Sequence, residues 1–282
     1  MKLSKIHYIL FLFVVLSCAQ KTETIPYRGQ SDWKDMKLNG KVKSMKVQTY
    51  KAVDNFGELS KGEKQWGRSY NEYYVFNTQG YIVEEGWFIA EDSLGEKGIS
   101  KYDDQGYKVL DEWYGANAEL NSYTEFTYSE TRDKYEMTRF DADKNLLSKT
   151  KFHDTFNSLE TIVYNASGAF EGKSEWEYDD DRNPLKWIIY GENGLVEAEI
   201  ILKRDHQGRL IDHRHTADNK VTQTFYSYEN HPYPISQSSE RGTLKFEWTY
   251  EYEFDELGNW IKRLSKLNGK GEFIVEREIV YY

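Results

Sequence analysis

The sequence repeats one small device along most of its length. An aromatic residue is followed by Asp or Asn, then by Gly or Asn within a few positions, then by a return to aliphatic or aromatic residues. It reads "FNTQGYIV" from Phe76, "YDDQGYKV" from Tyr102, "FDADKNLL" from Phe140 and "YNASGAFE" from Tyr164. It continues as "YDDDRNPL" from Tyr178, "RDHQGRLI" from Arg204 and "FDELGNWI" from Phe254. The spacings lie close to multiples of about 13 residues, the length of one strand plus one turn in an all-β repeat. Further turn signals fall between them: "DSLG" at Asp92, "GANA" at Gly115, "GENG" at Gly191, "ADNK" at Ala217 and "NGKG" at Asn268. Asp in such a turn bonds to its own backbone, and the Gly or Asn that follows tolerates positive φ.

Between the turns the pattern alternates. In "FEWTYEYEF" the rings of Phe246, Trp248, Tyr250, Tyr252 and Phe254 share one face, and Glu247, Thr249, Glu251 and Glu253 share the other. "SEWEYD" repeats this with Trp176 and Tyr178 against Glu175 and Glu177. A period of two with this contrast specifies half-buried antiparallel strands. The apolar payload is carried by rings: 23 Tyr, 14 Phe and 8 Trp, or 16% of residues, which excludes a disordered chain. No helical period stands out after residue 40. A short helix near "SDWKDMKL" is expected, capped by Ser31 or Asp32.

The chain begins "MKLSKIHYILFLFVVLSCAQ". Lys2 and Lys5, an apolar run from Ile9 to Leu16 and Ser17-Cys18 make the plan of a secretory signal at residues 1–17. The apolar run is too short for a permanent transmembrane helix. "Val15-Leu16-Ser17-Cys18" resembles the bacterial lipoprotein lipobox, which implies that Cys18 is lipidated and becomes the mature N-terminus. Several acyl chains on one residue anchor a protein stably. Cys18 is the only cysteine, so no disulfide is available to the exported fold. Residues 18–32 read as a polar tether, and 33–282 as the repeat domain. The formal charge is −10, and removing the first 17 residues leaves −12. Nucleic acid and anionic membrane surfaces are poor partners for such a chain.

The tiles resemble the tyrosine-aspartate (YD) repeats of Rhs-type proteins. "YDDQGYKVLDEWYGANAELNSYTEFTY" fits that pattern best, and "RDHQGRLIDHRHTADNKVTQTFYSY" fits with Arg204 in place of the tyrosine. The likeness covers roughly residues 70–282, with "LNGKVKSMKVQTY" as a capping first strand, and small envelope lipoproteins of Bacteroidota-like bacteria look similar. It implies stacked β-hairpins in a curved or spiral sheet. Long relatives close into a shell, and this chain is short for that. The expectation is therefore an all-β protein: tandem antiparallel hairpins in one long, curled and twisted meander sheet, open rather than a closed shell. "ENHPYPIS", with Pro232 and Pro234, marks an irregular excursion near 229–238, because a central strand does not accept such prolines.

The chemical inventory is thin. No Gly-x-Ser-x-Gly occurs. His213 and His215 share a strand face near Asp205, His206 and Asp212, but their spacing is not diagnostic of zinc, and a polar face around Arg214 accounts for them. Asp141, Asp143 and Asn145, and likewise Asp179, Asp181 and Asn183, follow the alternation of a calcium loop, but Leu146 and Pro184 stand where that loop needs Gly. Pairs such as Glu84 with Glu85, or Glu175 with Glu177, arise by chance in a carboxylate-rich chain. No metal or cofactor is expected. The aromatic face is the feature that exceeds structural need, with Trp87, Trp113, Trp187, Trp248 and Trp260 as candidate ligand platforms, although large rings are more often core. The expected protein is non-enzymatic, lipid-anchored in the bacterial outer membrane, and presents a binding or assembly surface to a protein or glycan. An immunity or antitoxin-like role and a glycan-processing enzyme are the alternatives. The sequence leaves oligomeric state open.

Overall fold

A computed structural model describes residues 31–282; the signal segment, Cys18 and nearly all of the tether lie outside the described residues. A single helical turn, α1 (Asp32–Asp35), precedes nineteen strands. They are β1 (Val42–Asn55), β2 (Glu58–Lys64), β3 (Asn71–Phe76), β4 (Ile82–Ala90), β5 (Ser93–Tyr102), β6 (Lys108–Gly115) and β7 (Leu120–Tyr128). Then come β8 (Lys134–Asp141), β9 (Leu146–Asp154), β10 (Ser158–Asn165), β11 (Phe170–Tyr178), β12 (Pro184–Tyr190) and β13 (Val196–Arg204). The last are β14 (Leu210–Ala217), β15 (Lys220–Tyr228), β16 (Pro234–Arg241), β17 (Leu244–Phe254), β18 (Trp260–Leu267) and β19 (Lys270–Tyr281).

The turns behave as their chemistry requires. Asp103 Oδ1 accepts hydrogen bonds from the Gln105 and Tyr107 amides at 3.0 and 2.9 Å. Asp205 does the same for Gln207 and Arg209, and Asp255 for Leu257 and Asn259. Gly106 sits at φ 83°, and a Cβ there would collide with the Tyr81 hydroxyl, so packing and backbone both demand glycine. The tyrosine of the motif has its own task. Tyr102 donates to Ile82 O at 2.8 Å, Tyr128 to Lys108 O at 2.8 Å and Tyr228 to Leu210 O at 2.7 Å. Each hydroxyl pins the open end of a hairpin whose turn lies at the opposite rim.

The expected open sheet is corrected: the sheet closes. Val42 to Lys51 of β1 pair antiparallel with Tyr281 to Phe273 of β19, while Ser44 to Gln48 also pair with β3. With β2 attached only to the far end of β1, the remaining strands form an 18-strand antiparallel barrel. Strand twist accumulates from neighbour to neighbour, and this many short strands suffice to bring the edges together. Closure leaves neither β1 nor β19 as an exposed edge. The sheet also continues through the proline stretch. Pro232 lies in the loop, and Pro234 opens β16 at a bulge opposite Tyr228, where a missing N–H is tolerated.

Directly paired residues share a face, so the register carries each face around the ring. Trp176 pairs with Trp187, Trp187 with Ile200 and Ile200 with His215. On the other side Ser100 pairs with Asp111, and Asp111 with Thr124. This face looks inward, because the N-terminal segment rests on it. Trp33 lies against Phe76 with ring centroids 6.3 Å apart, and Leu38 packs with Val42, Met45 and Phe76. The same segment receives the Ile82 amide on Asp32 (2.6 Å), reaches Pro232 O through Lys37 (3.1 Å) and bonds Asn259 through the Asn39 amide (2.8 Å). Loops that far apart on the ring are bridged only by a segment lying across the mouth. Small inward residues at strand centres, such as Ser100, Ser122 and Thr224, are buried beneath flanking rings. The outward face carries a ladder of ion pairs: Lys149–Glu136 at 2.7 Å, Lys173–Glu160 at 2.6 Å, Lys186–Glu199 at 2.9 Å and Lys262–Glu253 at 2.7 Å.

Candidate binding cavity at the barrel mouth

The first strand rim, where the aromatic-Asp loops gather, holds a cavity of about 430 Å³ beneath α1. Alternation on β5 to β11 aims Tyr102, Asp111, Phe126, Tyr128, Phe152 and Tyr178 into it, and Asp32 and Asp35 close the side toward α1. The rings are already arranged with one another. Tyr81 stacks on Tyr102 at 5.0 Å, Tyr107 meets Tyr128 edge-on at 5.2 Å, and Tyr135 stacks on Phe152 at 4.1 Å. A larger hollow of about 540 Å³ runs over β7 to β10, but its wall mixes outward residues such as Glu136, Lys151 and Glu160 with the rings. The mouth cavity is the better site, because seven strands and the N-terminal segment converge on it.

Charge is fixed precariously here. Asp111 accepts from Ser100 Oγ at 2.6 Å and from Trp113 Nε1 at 3.1 Å, with Lys108 Nζ at 3.5 Å. Asp154 pairs with Arg182 at 2.8 Å, both side chains nearly inaccessible, and the Arg182 guanidinium lies 4.2 Å from the Tyr178 ring centre. Burial pushes the Asp32 carboxyl up from its ordinary value, against the Ile82 amide and Lys108. Burial also raises Glu85, which Asp111 and Asp32 push further and Lys108 and Arg68 oppose. Carboxylates outnumber bases around the cavity, so its natural complement is a group bearing positive charge and a flat or apolar face.

The five tryptophans singled out from sequence do not form one site. Trp87 and Trp113 meet at 6.0 Å on the inner wall, and Trp187 stacks on Trp176 at 4.4 Å on another sector. Trp248 stands on β17, and Trp260 is buried under Arg277. The mouth cavity is built from tyrosines and phenylalanines instead. The signal for it is present in the motif, since the residue before each of its mouth loops, a ring in every case but Arg204, faces inward. His213 and His215 also face inward, paired with Leu202 and Ile200. Asp141 and Asp179 spend their oxygens on the turn, accepting from Asn145 and Asn183.

No family model matches the sequence, and no curated protein matches it. Among solved structures, a porin-like protein from Bacteroides uniformis is similar with TM-score 0.48 at 8% identity, covering 85% of this chain and 98% of that one. A protein of unknown function from Bacteroides fragilis has TM-score 0.32 at 14% identity, covering 38% of this chain and 93% of that one. A TcdB2-TccC3-TEV structure has TM-score 0.28 at 9% identity, covering 76% of this chain and 16% of that one. At these values the chain is assigned to no family.

Proposed function

We propose that this chain is a lipid-tethered, non-catalytic protein of the bacterial cell envelope. In this reading its YD-like barrel binds a basic, aromatic-containing peptide segment at the mouth. The observation that carries it is the charge on each face: carboxylates among rings at the mouth inside, and outside a lysine-glutamate ladder interspersed with rings such as Tyr73, Tyr123 and Phe140. Among the described residues, charged pairs spaced around the outer wall suit water better than a lipid-facing belt, so in this reading membrane attachment falls to Cys18 and binding to the inner wall. Peptides offer both the positive charge that the excess of carboxylates around the cavity favours and flat groups for the tyrosines.

The test has two arms. In a Gram-negative host, the full chain is expected in the membrane fraction and Cys18→Ser in the soluble periplasmic fraction; a Cys18→Ser chain that stays with membranes overturns the tether. Purified residues 19–282 are then titrated with Lys/Arg-aromatic peptides, acidic counterparts and oligosaccharides. Basic peptides are expected to bind best, weaken with salt, and lose about tenfold with Asp111→Asn, the factor that corresponds to about 1.4 kcal/mol. Oligosaccharide binding that ignores Asp111→Asn would refute the peptide reading.

A further inference from the structure

Across the lumen from the acidic cavity, the inner wall changes sign. Following the register from β12 to β19, the inward strand positions hold Arg204, Arg241, Arg263 and Arg277 but neither Asp nor Glu among the described residues. Two of these arginines are adjacent. Arg263 on β18 lies beside Val275, and Arg277 is the next inward residue of β19. The Arg277 guanidinium sits 3.6 Å from the Trp260 ring centre, and that of Arg263 lies 5.3 Å from Trp260 and 5.6 Å from Tyr250.

The cation-π contacts hold the two groups but do not satisfy them. Arg277 Nε and Nη1 and Arg263 Nε are shielded from solvent and have no hydrogen-bond partner. Neither arginine belongs to an ion pair among the described residues. Tyr74 donates to Glu72 at 2.8 Å, and Tyr233 and Tyr252 donate to Lys37 O at 2.9 Å and Pro234 O at 3.0 Å; the oxygens of Tyr233 and Tyr252 in turn accept from Arg277 and Arg263 respectively, which still leaves the three named donors unanswered. Burial, with Arg263 beside it, lowers Arg277 to about 10, well below an ordinary guanidinium yet still protonated at neutral pH. Two like charges held side by side with donors unspent are costly unless something answers them. Neither residue is fully buried.

We infer that Arg263 and Arg277 form an oxyanion site on the inner wall, taking a carboxylate or phosphate group through their fork-shaped donors above the Trp260 platform. Arginine suits this task because its planar donors match the oxygens of such groups in pairs. The site is separate from the acidic cavity and carries charge of the opposite sign, so it stands or falls independently of the peptide reading.

The test is calorimetric titration of purified residues 19–282 with inorganic phosphate, and separately with acetate, in chloride buffers of matched ionic strength. Saturable binding is expected for at least one anion, together with a rise in Tm. The preferred anion tells phosphate-bearing from carboxylate-bearing ligands. Arg263→Met and Arg277→Met are each expected to weaken it at least tenfold, while Arg241→Gln at the far rim leaves it unchanged. Should either methionine variant fail to fold, phenylglyoxal modification of the wild type reads the same site: phosphate or acetate should protect Arg263 and Arg277 several-fold more than Arg241. Non-saturable heats from both anions, or binding and protection indifferent to these two arginines, overturn the inference.

Discussion

At the residue scale, the fold is held by polar groups that each close a specific gap. Asn259 is fully buried and ties three chain segments: its Nδ2 donates to Asn39 O and to Tyr281 Oη, and its Oδ1 accepts from the Asn39 amide. Tyr228 makes a single such bond, to Leu210 O. Asn259→Ala should therefore cost about 2–3 kcal/mol and Tyr228→Phe about 1 kcal/mol, read from urea midpoints at unchanged m. Comparable losses would show that the Asn259 network is not cooperative. His213 supplies a pH dependence. Burial, helped by His215 and opposed by Asp212, lowers its pKa from the ordinary 6.5. The unfolded chain then takes up a proton before the folded one does. Stability from this group is complete above 6.5 and is lost as pH falls through the folded value. His213→Gln should flatten the decline in stability between pH 7.5 and 5; an unchanged slope would assign that decline to the carboxylates. The inward orientation of His213 was readable from alternation, but its burial was not. Burial depends on which face of the sheet becomes concave, and tryptophan counts gave no hint that tyrosines would line the mouth.

At the element scale, the strands and turns were legible because their determinants are local. The rings of Phe246 to Phe254 do share a face, and the loops after Tyr102, Arg204 and Phe254 adopt the bonds that Asp favours. The motif series nonetheless merged two sets. Loops after Phe76, Tyr102, Tyr178, Arg204 and Phe254 lie at the mouth, whereas those after Phe140 and Tyr164 lie at the opposite rim. Successive multiples of one strand plus one turn alternate between rims, so one period described both. Ser129 after Tyr128 and Glu229 after Tyr228 fill mouth positions without the Asp or Asn that marks the motif. Closure was not legible, since it depends on total curvature and on β1, a lysine-rich strand with no mark of its double role. Val47 pairs with Arg277 on one side and Glu72 on the other. Val47→Pro should cost about 3 kcal/mol or more and abolish the cooperative transition, because the strand has no free edge to lend. A variant that retains its transition with a small Tm change would mean that the β1–β19 seam contributes little.

At the scale of the whole molecule, the two faces of the wall decide which solvent the barrel can occupy. A barrel that crosses a bilayer alternates apolar outward and polar inward, and a charged residue on its lipid face costs several kcal/mol near the midplane. Here the outward face is charged: Lys149, Glu136, Lys173, Glu160, Lys186 and Glu199 stand outward between rings such as Tyr123 and Phe140, while the tryptophan pair of Trp176 and Trp187 turns in. Each exposed ion pair adds only about 0.2–1 kcal/mol in water, so the ladder is a solubility device more than a source of stability. Burying it in hydrocarbon would cost far more than the pairs return. Residues 19–282 unfolded in urea should thus refold on dilution into detergent-free buffer, recover strand-rich circular dichroism, and remain with the aqueous phase when liposomes are present. Moderate salt should change Tm by only a few degrees, since many of the pairs are exposed and already screened. Refolding that requires micelles, or protease protection on adding liposomes, would mean that the outward face meets lipid and that the register assigns the two faces the wrong way round.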